Sequence, residues 1–300
     1  MGRNHPCQDR VSLYAGVTQK VISELEMGRL PWVQPWTRGK GRCDLPHNAG
    51  TGRAYSGINV LILWEAAYEQ GWPSQRWLTY RQAQMLGGTV RKGETGTTVC
   101  YADRFTPRQE AARAAETGDD ARSFAFLKRF TVFNIDQCDE LPDAVTSLPA
   151  RPGGQVIDSA AAAIITGSRA DFRIGGDTAY YAPKADYVQV PEQAAFPHPL
   201  DWYRTAFHEL GHWTGHGSRL ARDQRGSFGG PDYAREELVA EMASAFVCAA
   251  LGIAPQARQS DYVGAWLAVL RGDERAIFRA ASQASRAADL LLAAGRGEAG

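Results

Sequence analysis

The sequence predicts an α+β fold, with a mixed N-terminal half followed by a mainly helical C-terminal half. Two N-terminal segments, 97–101 and 124–133, are rich in the β-branched and aromatic residues that favour strands. Three long helices are predicted towards the C-terminus, at about 201–214, 233–251 and 274–293. Strands therefore concentrate before the middle of the chain and long helices after it.

The remaining elements follow from local patterns. Val17, Val21, Ile22 and Leu25 recur at three- and four-residue spacing, which predicts an amphipathic helix over 12–28. Other segments resemble helices or strands in their apolar spacing and in the glycines and prolines that bound them. The helices are predicted at 60–69, 79–86 and 156–166, and the short strands at 171–173, 179–181 and 188–190.

Proline and glycine accumulate in the middle of the chain. The 300 residues suffice for two domains of ordinary size. The stretch from Leu141 to Gln155 holds three prolines and a Gly-Gly pair, so we predict a linker at 142–155. We therefore expect an N-terminal domain over 1–141 and a C-terminal domain over 156–300. An Ala-rich, charged segment at 107–122 predicts an insertion between two strands.

The composition is that of a globular protein. Apolar residues make up 44%, and basic and acidic residues number 33 each, which excludes nucleic-acid binding through bulk charge alone. The first hundred residues, however, carry twelve Lys or Arg against seven Asp or Glu, and five of the eight tryptophans lie between Trp32 and Trp77. That segment favours contact with a polyanion together with ring stacking.

The apolar segments and the cysteines indicate the cellular compartment in which the protein is expected. No apolar run approaches the roughly 20 residues that span a bilayer, and the N-terminus lacks the apolar core of a signal peptide. The five cysteines are odd in number and widely spaced, as expected of reduced thiols. We therefore expect a cytoplasmic protein without a membrane partner.

The string His208-Glu209-Leu210-Gly211-His212 predicts a metal site. Two histidines four residues apart lie one helical turn apart, so both rings can reach one ion. The glutamate between them is placed to take a proton from water, which makes Glu209 the candidate general base. The alternative is a pair of partly buried histidines on an ordinary amphipathic helix.

A third ligand is expected from the next helix. Glu237 and Glu241 lie four residues apart on a helix otherwise rich in Ala, Val and Phe. We expect Glu237 to complete the site and Glu241 to hold a histidine N–H, while a solvated acidic face is the alternative. Asp232 is a lesser ligand candidate, and Tyr233, His216 and Arg219 are candidate oxyanion donors.

The pattern predicts metal-assisted hydrolysis. Zn²⁺ is the expected ion, with another divalent metal such as Mn²⁺ as the alternative. A metal-dependent nuclease is a second interpretation of the site. Two histidines and one glutamate nevertheless suit amide hydrolysis by zinc better than they suit the oxygen-rich sites of magnesium nucleases.

Basic and aromatic residues in the N-terminal half predict a surface for single-stranded nucleic acid. Rings stack on bases while Arg and Lys neutralise phosphates, without base-specific contacts. Rings at this density are also typical of a core, which is the alternative. The candidates are Arg53, Tyr55, Arg76, Trp77, Tyr80, Arg81, Arg91 and Lys92.

Six stretches match a known family. The N-terminal half contains LPWVQPW (30–36), TGRAYSGINVLILW (51–64), WLTYRQAQMLGGTVRKGETGTTV (77–99) and TVFNIDQCDELP (131–142). The C-terminal half contains DWYRTAFHELGHWTGH (201–216) and YAREELVAE (233–241). In these stretches the chain resembles the ArdC-type antirestriction proteins of plasmids and other mobile elements, over nearly its whole length.

The resemblance implies an N-terminal single-stranded DNA-binding domain followed by a zincin-like metallopeptidase domain. It implies His208, His212 and Glu237 as metal ligands and Glu209 as general base. It also implies that the protein protects incoming plasmid DNA from host restriction during conjugation, with single-stranded DNA and an unidentified protein or peptide substrate as partners. The alternative is a protein that only coats single strands, with a structural or inactive metal site.

Overall fold

The structure, a computed structural model, falls into two compact units. It describes residues 12–33, 44–105, 107, 110, 113, 124–147, 153–225, 229–254 and 262–298. The first unit holds the described parts of Met1–Leu45, Tyr55–Pro73 and Pro149–Gly300, and the second holds those of Pro46–Ala54 and Ser74–Leu148. Most of the predicted insertion at 107–122, part of the linker at 142–155, and Cys7 and Cys43 lie outside the described residues.

The first unit is mainly helical. Its helices are α1 (Leu13–Glu26), α2 (Ile58–Gln70), α5 (Gly154–Ser168), α6 (Pro199–Trp213), α7 (Pro231–Ala250), α8 (Val263–Gly272) and α9 (Ala276–Gly295). A three-stranded sheet contains β7 (Asp171–Ile174), β8 (Tyr180–Ala182) and β9 (Tyr187–Val190). Its central strand, β9, is parallel to β7 and antiparallel to β8.

Helices α6 and α7 pack closely because glycine faces alanine where they meet. A Cβ placed on Gly211 of α6 would lie 3.2 Å from the Cα of Ala240 on α7, which is closer than ordinary van der Waals contact. Around this point, Phe207 and Leu210 from α6 and Phe246 from α7 are buried. The short separation brings polar side chains of the two helices within reach of each other.

Helices α1 and α2 belong to the first unit, although α1 precedes the second unit in the chain and α2 lies between its two segments. Helix α1 packs on α8, and Thr18 Oγ1 donates a hydrogen bond of 2.6 Å to the carbonyl of Glu274. The backbone N–H at the start of α2, on Gly57, donates to Ser285 Oγ at 2.7 Å. The packing therefore differs from the predicted division at 142–155, because amphipathic helices bury their apolar faces against partners far away in sequence.

The second unit is built around a sheet with strand order β1-β2-β5-β4. Its strands are β1 (His47–Asn48), β2 (Arg76–Leu78), β4 (Thr97–Phe105) and β5 (Phe124–Asn134). Strand β1 is parallel to β2, and the other neighbours are antiparallel. A smaller ladder joins β3 (Thr89–Val90) to β6 (Cys138–Asp139), beside the short helices α3 (Tyr80–Met85) and α4 (Asp143–Thr146).

Local capping and a small core hold the second unit together. Helix α3 begins with a reciprocal cap, in which Thr79 Oγ1 accepts from the N–H of Gln82 and the Gln82 side chain accepts from the N–H of Thr79. Leu78, Ala83 and Ile135 form a buried cluster beneath it. The segment after β2 is therefore fixed against β5.

The described elements confirm the α+β fold class. The segments predicted as helices are helical, and 97–101 and 124–133 lie in the two longest strands. Helix α8 and several short elements, β2 among them, were not predicted. The strands are too short to show alternation, whereas α8 does carry a helical period in its buried Trp266, Val269 and Leu270. Within the described part of the chain, no helix combines the length and apolar character needed to cross a bilayer, and Cys100, Cys138 and Cys248 are free thiols.

Candidate metal centre

Two histidines and a glutamate converge where α6 meets α7. His208 Nε2 and His212 Nε2 lie 3.2 Å apart. The carboxylate of Glu237 reaches both rings, with Oε2 3.5 Å from His208 Nε2 and Oε1 3.4 Å from His212 Nε2. One ligand atom from each of the three side chains lies within 4.8 Å of the others.

The other ring nitrogens face carboxylates. His208 Nδ1 lies 3.5 Å from Glu241 Oε1, and His212 Nδ1 lies 3.3 Å from Glu236 Oε1. Each ring can therefore donate its Nδ1 proton and direct the lone pair of Nε2 towards the same point. Two imidazole nitrogens and one carboxylate form a donor set that suits a divalent cation of the zinc type, so the residues fit a metal.

The protonation states of His212, Glu236 and Glu237 depend on one another. Burial of the His212 ring disfavours its protonation, but hydrogen bonds to Glu236 and Glu237 outweigh burial and raise the pKa of His212 to about 10. Burial would raise the pKa of Glu236, yet hydrogen bonds with His212 and Arg222 lower it to about 2. The same balance, with both histidines as donors, holds the pKa of Glu237 below its usual range. The carboxylates are therefore charged and attract a cation.

Arg222 and Gln224, on the loop after α6, complete the surroundings of His212. The guanidinium of Arg222 donates two hydrogen bonds to Glu236, at 3.0 and 2.7 Å, and one to the carbonyl of Gly211 at 2.7 Å. Gln224 Nε2 donates to the His212 carbonyl at 2.6 Å. Arg222, Gln224 and Glu236 surround His212, and these roles were not predicted from the sequence. The one signal in the sequence was Glu236 itself, a further acid on an otherwise apolar helix.

A cavity of about 360 Å³ opens beside the three converging side chains. Glu209 lines it and is buried, 5% exposed. The described residues around the opening are mostly aromatic or acidic, and they include Tyr180, Tyr181, Asp232, Tyr233 and Tyr262. Glu209 therefore borders the same space as the candidate ligands.

Three of the weaker candidates contact other charged side chains. Asp232 lines the cavity but pairs with Arg235 at 2.6 Å. His216 and Arg219 are outside the described cavity lining, and both approach Asp186, with Arg219 Nη1 3.0 Å from its carboxylate. Of the three predicted oxyanion donors, Tyr233 alone lies among the described residues of the lining.

The predicted DNA-binding residues divide into buried and exposed groups. Trp77 is fully buried and Tyr55 is 6% exposed, so neither ring is accessible for stacking. The reason for Trp77 is that β2 lies between β1 and β5, where alternate side chains point into the interior. Arg76 donates to the carbonyl of Ser147 at 2.8 Å, and Arg91 pairs with Glu94 and Asp139. The exposed candidates are Arg53, Tyr80, Arg81, Arg91 and Lys92, and Arg76 is half-buried.

Two packed helices present two histidines and a glutamate to one point, beside a further buried glutamate, and this arrangement is a candidate metal centre of the zincin type. Family models match both parts of the chain. The model described as "Zincin-like metallopeptidase" matches residues 159–283, and the "N-terminal domain of anti-restriction factor ArdC" matches residues 11–133. The chain belongs to the ArdC-type antirestriction proteins.

Solved structures and curated proteins agree with this membership. The metal-free structure of the antirestriction ArdC protein from the R388 plasmid is similar at a TM-score of 0.78 and 40% identity, covering 95% of this chain and 98% of that one. Its Mn(II)-bound structure is similar at a TM-score of 0.77 and 39% identity, with the same coverage. Protein y4eC of Sinorhizobium fredii is 38% identical over 291 residues, covering 95% of this chain and 93% of that protein.

Longer proteins contain a similar region. A DNA primase TraC of Escherichia coli is 38% identical over 307 residues, which cover 97% of this chain. The chain spans 20% of the length of that primase and 27% of a second TraC. The similarity therefore concerns one part of each primase.

Proposed function

We propose that the protein binds single-stranded DNA through its N-terminal part and hydrolyses a peptide bond at the centre formed by His208, His212 and Glu237. The resulting role is protection of incoming plasmid DNA from host restriction during conjugation. The observation that carries the hydrolytic part is the convergence of these three side chains beside Glu209 in one cavity. A purely structural metal site has no use for a buried carboxylate that is placed to act as a general base.

Each residue of the site has a distinct role in the proposed hydrolysis. His208 Nε2, His212 Nε2 and Glu237 would hold the ion, Zn²⁺ or Mn²⁺, and the Mn(II)-bound R388 protein supports the latter as an alternative. The ion, when bound, acidifies a water molecule and polarises a substrate carbonyl. Glu209 accepts the proton and returns it to the leaving amine. Tyr233, whose hydroxyl lies 3.3 Å from that of Tyr262, offers a hydrogen bond to the carbonyl oxygen.

The DNA-binding part rests on family membership and on charge. The match to the ArdC N-terminal domain covers residues 11–133, where exposed Arg53, Arg81 and Lys92 can contact phosphates. The second candidate function is coating of single strands with an inactive metal site. Both functions predict that DNA binding weakens steeply with salt and that single strands are preferred to duplex.

A conjugation assay with a restricting host separates the two functions. The wild type is compared with Glu209→Gln, which keeps the size of a buried side chain but cannot accept the proton. Zinc content is measured beside plasmid recovery, and Arg225→Ala serves as a control at an exposed position. We expect Glu209→Gln to bind zinc normally and to lose protection. Full protection by a zinc-loaded Glu209→Gln protein would refute the hydrolytic role and favour coating.

A further inference from the structure

The second unit exposes two large rings on its outermost strand pair. Tyr101 on β4 and Phe130 on β5 are each 44% exposed, and their ring centroids lie 5.5 Å apart in an edge-to-face arrangement. The register places Val99 opposite Phe130 and Tyr101 opposite Lys128. Residues directly opposite in an antiparallel pair share a face, so both rings lie on the same face of the sheet.

Exposure changes abruptly along this face. Val99 and Val132 are buried, at 0% and 1%, whereas the rings one step further out are open to solvent. Large apolar side chains are mostly buried, and two exposed rings in contact with each other form an apolar surface that a ligand can cover.

A basic side chain lies on the same face as the two rings. Lys128 is exposed directly opposite Tyr101, whereas the neighbouring Arg129 lies on the other face of the sheet. Arg53 is also exposed, and its charge interacts electrostatically with the Tyr101 hydroxyl. Burial raises the pKa of the Tyr101 hydroxyl, and the charge of Arg53 opposes that rise. Planar rings among cations complement a ligand that has planar groups on a polyanionic backbone.

We propose that the face formed by Tyr101, Phe130, Lys128 and Arg53, the β4–β5 face, binds single-stranded DNA by stacking bases on its rings and neutralising phosphates. The proposal rests on the DNA binding proposed above and assigns the stacking to accessible rings instead of Trp77 and Tyr55. A base in a duplex is already stacked on its neighbours, so this face discriminates against double strands. Ring stacking accepts every base, so little sequence preference is expected.

The test measures binding of a fluorescein-labelled oligothymidylate to the full chain by anisotropy at low salt. Tyr101→Ala and Phe130→Ala should each weaken binding by about tenfold, because one stacking surface is removed. Tyr101→Phe keeps the ring and should bind as the wild type does. The matched control is Tyr68→Ala on α2, since Tyr68 is similarly exposed at 42% but belongs to the first unit.

Two further measurements report on the interaction of the DNA with this face. Lys128→Gln should flatten the dependence of log affinity on log salt concentration, by about 0.7 for each phosphate of the single strand that is no longer neutralised. Phe130→Trp places a fluorescent ring in the face, and its emission should be quenched when the oligothymidylate binds. Melting curves and zinc content establish that each variant is folded.

The outcomes separate this proposal from the broader one. If the wild type binds no single strand at low salt, the proposed DNA binding fails and the β4–β5 face fails with it. If the wild type binds and a folded Tyr101→Ala/Phe130→Ala protein binds equally well, the β4–β5 face is excluded while DNA binding stands. Loss of binding by the double variant but not by Tyr68→Ala supports the assignment.

Discussion

Arg222 and Glu236 form a buried ion pair behind the metal centre. Arg222 Nη2 lies 2.7 Å from Glu236 Oε1, and the two side chains are 3% and 9% exposed. The same oxygen of Glu236 lies 3.3 Å from His212 Nδ1. The ion pair thus holds Glu236 on the Nδ1 side of the ring and leaves Nε2 facing Glu237, so we expect both residues to position His212 for a cation.

Glu236→Gln and Arg222→Ala should both weaken metal binding, by about 10- to 100-fold. Arg222→Ala should also destabilise the protein, by about 3–5 kcal/mol, because the carboxylate of Glu236 loses its buried partner. Zinc affinity is measured by competition with a chromogenic chelator. Arg225→Ala on the same loop is the control, since its ion pair with Asp223 is exposed, and it should change nothing. Unchanged zinc affinity in Glu236→Gln would remove Glu236 from the positioning role.

Gly211→Ala should separate α6 from α7. The added methyl group meets Ala240 at 3.2 Å, and overpacking of this kind costs about 1–3 kcal/mol. Zinc affinity should fall as well, because two of the proposed ligands are on one helix and the third is on the other. Gly264→Ala is the matched control, since a Cβ there meets nothing within 4 Å. Denaturant unfolding and chelator competition measure the two effects, and a Gly211→Ala protein as stable as Gly264→Ala would contradict the close approach of the helices.

Zinc should stabilise the first unit against unfolding. A ligand that binds only the folded state at 100 times its dissociation constant adds about 2.7 kcal/mol. The melting temperature should rise with zinc in the wild type and fall when a chelator is added. The double variant His208→Ala/His212→Ala should respond to neither addition. A zinc-dependent shift that survives in the double variant would locate the ion elsewhere.

Asp186 should make the free energy of unfolding depend on pH in the acidic range. A hydrogen bond from Arg219 holds the pKa of Asp186 below its ordinary value of 3.8. A depressed pKa contributes stability that is present above the ordinary value and is lost as the pH falls through the folded one. The stability advantage of the wild type over Asp186→Asn should therefore be constant near neutrality and shrink below about pH 4. Both proteins are unfolded with denaturant in the presence of chelator, so that metal loss does not contribute, and a constant difference down to about pH 2.5 would contradict the shift.

The part of the site that lies in local spacing could be predicted from the sequence. His208 and His212 are one helical turn apart, and an acidic side chain on an apolar helix pointed to Glu237. Arg222 could not be predicted in this way, because its contact with Glu236 depends on the path of a loop without periodicity. The burial of Trp77 could not be predicted either, because a segment rich in aromatic residues can form a core or a binding surface. The helix patterns of α1 and α2 predicted their apolar faces but not the distant helices that cover them.

The polypeptide passes between its two compact units four times, at Leu45–Pro46, Ala54–Tyr55, Pro73–Ser74 and Leu148–Pro149. No single scission can free one unit as an intact piece. Gene fusion at the middle of the chain would strip α1 and α2 from the helices they pack on. The similarity to the two TraC primases extends accordingly over 97% and 92% of this chain, and so over stretches of both units.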